Sequence, residues 1–243
     1  MTASSELSPA AAPAAAAGDA GERPAGALRL RAVLLVLLTF GAGTTDVVGF
    51  LGMEKVFTAN MTGNIVLFGL AAGEGHGPDL ARCGAATVAF ALGLLAGFHI
   101  AGRPVPGRVW PRRVTAVLGV VLALQTAFLA GWAQAGAEPH GGALVALIAL
   151  SSTAMGAQTA AARSMSADGI TTTFVTGTLT SMMGAFAVGG SAASGLRTAV
   201  ILSLAAGAAV AGALMAHAPV LAAALSPAVL ATVVALAFRL HRS

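Results

Sequence analysis

Charge is what this sequence has least of. Asp, Glu, Lys and Arg make up 9% of its 243 residues, against about a quarter in ordinary soluble domains. A soluble fold of this size needs a charged skin that thirteen basic and nine acidic side chains cannot supply. Cysteine is nearly absent as well. Cys83 stands alone, which excludes an intramolecular disulfide and a multi-cysteine metal site. No Lys- or Arg-rich stretch lies beside aromatic residues, tyrosine is missing altogether, and a nucleic-acid footprint is therefore excluded. No set of His, Asp, Glu and Cys has metal-ligand spacing. The glycine-rich stretches match neither the Walker nor the dinucleotide-binding pattern, and no histidine is placed with a Ser or Thr as a nucleophile pair. No cofactor is expected.

What is abundant is apolar surface: 57% of the residues are hydrophobic and the mean hydropathy is +0.86. Bilayer solvent removes the need for a charged skin, so the chain reads as an all-α, polytopic transmembrane helical bundle. Residues 1–28 are Ala, Pro, Gly and Ser with scattered acids and no aromatic residue, too little burial to repay ordering, and are expected to form a disordered tail. A secretory signal would begin with an early basic region, whereas the first positive charge here is Arg23. Residues 29–243 are expected to form one transmembrane domain.

Six stretches approach the ~20 helical residues that cross a hydrocarbon core. They run over 32–52, 83–102, 114–134, 143–162, 197–217 and 219–238. Two further apolar stretches, 57–73 and 174–190, are shorter and rich in Gly, Thr and Ser. Were both to span, eight crossings would put Arg103, Arg108, Arg112 and Arg113 opposite Arg29 and Arg31, against the rule that short cytoplasmic loops hold the excess Lys and Arg. If both enter and return, six helices cross. The arginines then gather on one side and the 135–142 loop, with Glu138 and no Lys or Arg, lies on the other. Six crossings fit the charges better than seven or eight.

The segments TANMTGN (58–64) and TTFVTGT (172–178) align at a separation of 114 residues, with Thr62-Gly63 over Thr176-Gly177. The same offset lays span 32–52 over 143–162 and span 83–102 over 197–217. Two related halves follow, about 30–134 and 143–240. With three crossings in each they would be inverted, and broken helices in inverted repeats are a recurrent transporter plan. A plain bundle in which the repeat is a relic is the competing reading.

Several polar groups need a reason to lie among apolar residues. Asp46, with Thr44 and Thr45 beside it, sits about fourteen residues into the first span. A carboxylate at membrane depth faces a partner or a water-filled route, or is held by local hydroxyls and backbone near the helix end. Asn60 and Asn64, four apart, are expected on one helical face. Thr62 is suited to cap the first turn, and Gly63 to admit close approach of backbone. Thr176 and Thr178 take the places of Thr62 and Asn64, with Gly177 over Gly63. Gln158 aligns with Thr44 and Asp46 with Ala160, so the carboxylate belongs to one half alone. Both Gln158 and Gln125 also suit hydrogen bonding across the bundle. His99 and His217 fall at span ends as interface anchors, and Gly93 and Gly97 form a small-residue packing surface that returns at Gly207 and Ala211.

The stretch GAGTTDVVGFLGMEKVFTANMTGNIVLFGLA, with Asp46, Phe57, Asn60, Met61, Thr62, Gly63 and Asn64, resembles the YoaK family, bacterial multi-pass membrane proteins that carry a domain of unknown function. The resemblance runs over about residues 30–240. It implies the bacterial cytoplasmic membrane and no established substrate. The residues themselves point to an integral membrane protein that binds or carries a small solute with proton or cation coupling. The substrate-binding candidates are Thr44, Thr45, Asp46, Asn60, Thr62, Gly63, Asn64, Gln158, Thr176, Gly177 and Thr178. The alternative is a non-transport component of envelope organisation or partner assembly. An enzyme is not expected, because Asp46 lacks a second acid or base at comparable depth.

Overall fold

A computed structural model describes residues 25–103, 109–165, 175–187 and 194–240. Within them the chain forms eight helices and no strand: α1 (Ala25–Gly52), α2 (Met61–Glu74), α3 (Gly77–Ala101), α4 (Arg112–Gln134), α5 (Gly141–Met165), α6 (Val175–Ala187), α7 (Ser194–Met215) and α8 (Pro219–Leu240). Helices are the expected solution because an apolar solvent leaves backbone N–H and C=O groups no partner but each other. All except α2 and α6 are long and apolar enough to cross a membrane. Residues 1–24 of the expected tail lie outside the described residues. Its last four, Ala25–Leu28, already belong to α1.

At 14 and 13 residues, α2 and α6 reach only about 20 Å, short of a hydrocarbon core of about 30 Å. Residues 166–174 and 188–193, including Thr172, Thr173 and Phe174 of the second Thr-Gly segment, are outside the described residues. Helix α2 begins beside Asp46, six residues before α1 ends, because the 53–60 loop folds back along α1. It then returns to the loop's outer end, where Arg82 of α3 pairs with Glu54 at 2.7 Å and also with Asp79. Gly75, at φ 73° in the left-handed region, ends α2 by donating its N–H to the Ala71 carbonyl.

Contacts between helices fix their directions. Ser203 Oγ donates to the Val36 carbonyl at 2.8 Å. Gly207 lies on the Phe40 backbone and Gly43 on the backbone of Leu204 and Ala208. Both pairings advance together, so α1 and α7 run parallel. Gly93 on Thr153 and Gly97 on Ala157 give α3 and α5 the same parallel relation. Helix α5 opposes α1, since Gln158 reaches Leu38 while Arg31 reaches the Met165 carbonyl. Trp132 Nε1 donates to the Pro219 carbonyl at 3.2 Å, so α8 starts where α4 ends. Thr198, near the start of α7, meets Met182 of α6, while Thr176 at the start of α6 lies beside Leu204. Helix α6 therefore runs toward the N-terminal end of α7, opposite in sense to α2.

Three apolar clusters fill the bundle among the described residues, the smallest being Ala42, Ala59, Phe90 and Met155. Leu34 and Leu38 of α1 meet Val117 and Val121 of α4, Ala157 and Ala161 of α5, and Val233 of α8. Toward the other end Phe128 and Trp132 of α4, stacked with centroids 5.9 Å apart, join Met53, Ile148 and Ala222. Large apolar side chains also cover the outside, with Val66 and Leu95 about two-thirds exposed. In water that would be costly; against lipid it is the expected surface.

Candidate functional site

The fold-back of the 53–60 loop sets a carboxylate of the apolar helix α1 against backbone donors. Asp46 Oδ1 accepts hydrogen bonds from the backbone N–H groups of Thr58 at 2.9 Å, Ala59 at 2.7 Å and Asn60 at 3.3 Å. Three donors converging on one oxygen complement a carboxylate charge. They also satisfy amides that precede α2 and have no helical partner of their own. Among the described residues Oδ2 takes no hydrogen bond.

Asn60 and Asn64 then divide the labour of holding α2. Asn60 is the N-cap, its Oδ1 accepting from the Gly63 N–H at 3.4 Å. Capping falls to Asn60, and not to Thr62 as the sequence suggests, because the helix starts at Met61 and places Thr62 inside the first turn. Nor do the two asparagines share a face. Asn64 is fully buried, accepts from the Phe57 N–H at 2.9 Å and donates to the Phe57 carbonyl at 2.6 Å, so one side-chain amide satisfies both backbone groups of a loop residue. Gly63 makes room for the Phe57 ring, which an added Cβ would meet at 2.8 Å. Phe57 in turn stacks on Phe50 with centroids 5.0 Å apart.

A cavity of about 500 Å³ opens against this assembly. Asp46, Asn60, Thr62 and Gly63 line it from the first half of the chain, and Thr176 at the start of α6 lines it from the second. The remaining candidates lie elsewhere. The Thr44 and Thr45 hydroxyls both donate to the Gly41 carbonyl at 2.8 Å, within their own helix. Gln158 Nε2 donates across the bundle to the Leu38 carbonyl at 3.1 Å. Thr178 is buried away from the cavity, and Gly177 is exposed with nothing close to its missing Cβ. Sequence reasoning left Phe57, Ala42 and Leu204 out of the site, although all three line it. Phe57 had a signal in its place just before the Asn-Met-Thr-Gly-Asn run, whereas Ala42 and Leu204 look like any other apolar residue of a span. Among the described residues no cluster of three or more His, Cys, Asp or Glu could hold a metal ion.

Comparison with known proteins agrees with this architecture. Residues 34–237, which include every described residue lining the cavity, match the family described as "Protein of unknown function (DUF1275)". The chain belongs to the DUF1275 family. It is also 37% identical over 154 residues to the UPF0700 transmembrane protein YoaK of Bacillus subtilis (strain 168), a match covering 63% of this chain and 66% of that protein. No solved structure matches. The chain is thus a multi-pass membrane protein of the YoaK-like family, with its long helices in contact with lipid.

Proposed function

We propose that this DUF1275 protein binds a small solute in the Asp46 cavity and carries it across the bacterial cytoplasmic membrane with proton or cation coupling, without catalysing a reaction. The observation that carries this reading is the meeting of two short helices at one cavity. The beginnings of α2 and α6 both line it beside the carboxylate at membrane depth, and from there the two helices run in opposite senses. Discontinuous helices that start at the midplane serve carriers because their ends present polar groups to a solute where continuous helices present none.

Matching glycine contacts in the two halves support an inverted-repeat reading. Gly43 packs on Leu204 and Ala208, and Gly156 packs on Phe90 and Leu94. Gly207 packs on Phe40, and Gly93 on Thr153. The α3 and α7 members of these pairs are each 114 residues apart, and the α1 and α5 members 113. These glycine contacts between α1 and α7 thus have α5–α3 counterparts, the pattern that a pseudo-two-fold axis would give. This register sets Asp46 against Thr159 and Thr45 against Gln158, one residue from the alignment based on the Thr-Gly segments. Either register leaves the second half without an acid there.

A specific observation favours the second reading, a non-transport membrane component: Asn64, Gln158, Thr44 and Thr45 are satisfied by backbone groups, as in a bundle built only to pack. Reconstitution in liposomes separates the two. Carriage predicts pH-dependent uptake of some solute from a chemically varied panel, lost or freed of its pH dependence in Asp46→Asn. Uptake no greater than in protein-free liposomes across the panel would leave the packing role.

A further inference from the structure

The chemistry of the cavity narrows the class of solute, and the argument rests on the reading of the cavity as a solute site. Among the described residues Asp46 is the one charged residue in its wall. Lys55 lines a separate cavity, and Arg82 is occupied by Glu54 and Asp79. Among the described residues the carboxylate therefore has no cationic partner, and an uncompensated charge among apolar spans is costly unless something else supplies the opposite sign. Its Oδ1 is filled by three amide donors, while Oδ2 takes no hydrogen bond among the described residues. The positive end of α2, which would otherwise attract an anion, is answered within the chain by Asp46 and by the Asn60 cap.

We propose that the cavity recognises its solute through an ammonium group seated on Asp46 Oδ2. The group carries donors where the wall offers acceptors: the free carboxylate oxygen, the Thr62 and Thr176 hydroxyls, and the Asn60 side-chain oxygen. The Phe57 ring in the same wall supplies an aromatic surface that favours a cation. Ala42, Val66 and Leu204 leave the rest of the wall apolar, suited to a short hydrocarbon portion. The ammonium can belong to a plain amine or to an amino acid, whose carboxylate would then lie toward the start of α6.

The test is binding of four probes of similar size to the full-length chain in detergent, namely n-butylammonium, norvaline, butyrate and n-butanol, followed by their uptake in liposomes. Butylammonium, norvaline or both should bind at least about tenfold more tightly than butyrate and butanol, the scale of one charge-assisted hydrogen bond. Binding of butylammonium alone marks a plain amine; a preference for norvaline marks an amino acid. Asp46→Asn keeps an acceptor oxygen for the three loop amides, so the fold should hold while ammonium binding falls about tenfold or more. Thr176→Phe fills the cavity without touching Asp46 and should abolish binding independently. Equal binding of all four probes, preference for butyrate or butanol, or unchanged ammonium binding in Asp46→Asn would overturn the assignment. Should liposomes take up only a neutral or anionic solute, the ammonium assignment falls and the carrier reading stands. Should no solute be bound or carried, both fall.

Discussion

At the residue scale, Asp46 both folds the 53–60 loop and faces the cavity, and substitution can separate these roles. Asp46→Ala removes the only acceptor shown for the Thr58, Ala59 and Asn60 amides. Leaving such donors unmet costs about 1–3 kcal/mol each when water cannot reach them. Asp46→Ala should therefore melt well below wild type in a fixed detergent, and Asp46→Asn close to it. Equal melting of the two variants would show that the amides find other partners. Asn64→Leu strands both the N–H and the C=O of Phe57, with an expected loss of about 2–4 kcal/mol on the same scale. The same thermal scan reads it. Thr62, a cavity residue whose side chain makes no hydrogen bond among the described residues, should tolerate small substitutions with little change in melting.

At the scale of elements, α1 against α7 and α3 against α5 are pressed together until backbone touches backbone. An added Cβ at Gly43 would lie 3.1 Å from the Ala208 nitrogen, and one at Gly156 2.8 Å from the Leu94 nitrogen. Backbone cannot rotate aside as a flexible side chain can. Gly43→Leu and Gly156→Leu should each cost at least about 2–3 kcal/mol, with similar losses if the two interfaces are equivalent halves of a repeat. Gly177 is the contrast. It lies in α6 with open space around its missing Cβ, so Gly177→Ala should be neutral or stabilising by up to about 1 kcal/mol. Comparing melting temperatures of the three variants checks both statements. A large loss for Gly177→Ala would mean that α6 packs more tightly in the membrane than its open surroundings indicate.

At the scale of the whole molecule, the start of α1 and the end of α8 lie on the same side of the bundle, and the rule that short cytoplasmic loops hold the excess Lys and Arg predicts that this side faces the cytoplasm. Arg29, Arg103, Arg112, Arg113, Arg163 and Arg239 all lie toward one end of the bundle, and Glu138 toward the other. In a Cys83→Ala background, Glu138→Cys should react with a membrane-impermeant maleimide on intact cells. Arg103→Cys should react only after permeabilisation. The reverse pattern would turn the whole bundle over.

The apolar composition alone determined that the chain lives in a membrane, and the lengths of its apolar stretches picked out six long helices and two short ones, with most ends within a few residues of those observed. These were legible because hydrocarbon thickness sets a length and apolar solvent requires continuous helices. Asp46, Asn60 and Thr62 were legible too, since polar groups stand out among Ala, Val and Leu. Only the tertiary structure decided which of the polar residues meet. Thr44, Thr45 and Gln158 were site candidates beside Asp46 along the chain, yet each is close enough to a backbone carbonyl to spend its donor there. Asp46 has only acceptors, so it waits for donors that the loop brings from twelve to fourteen residues away. The cavity wall also includes Leu204, more than 150 residues from Asp46 in sequence. An apolar side chain leaves no local trace of the surface it will border, so that part of the site exists only once α1 and α7 have packed.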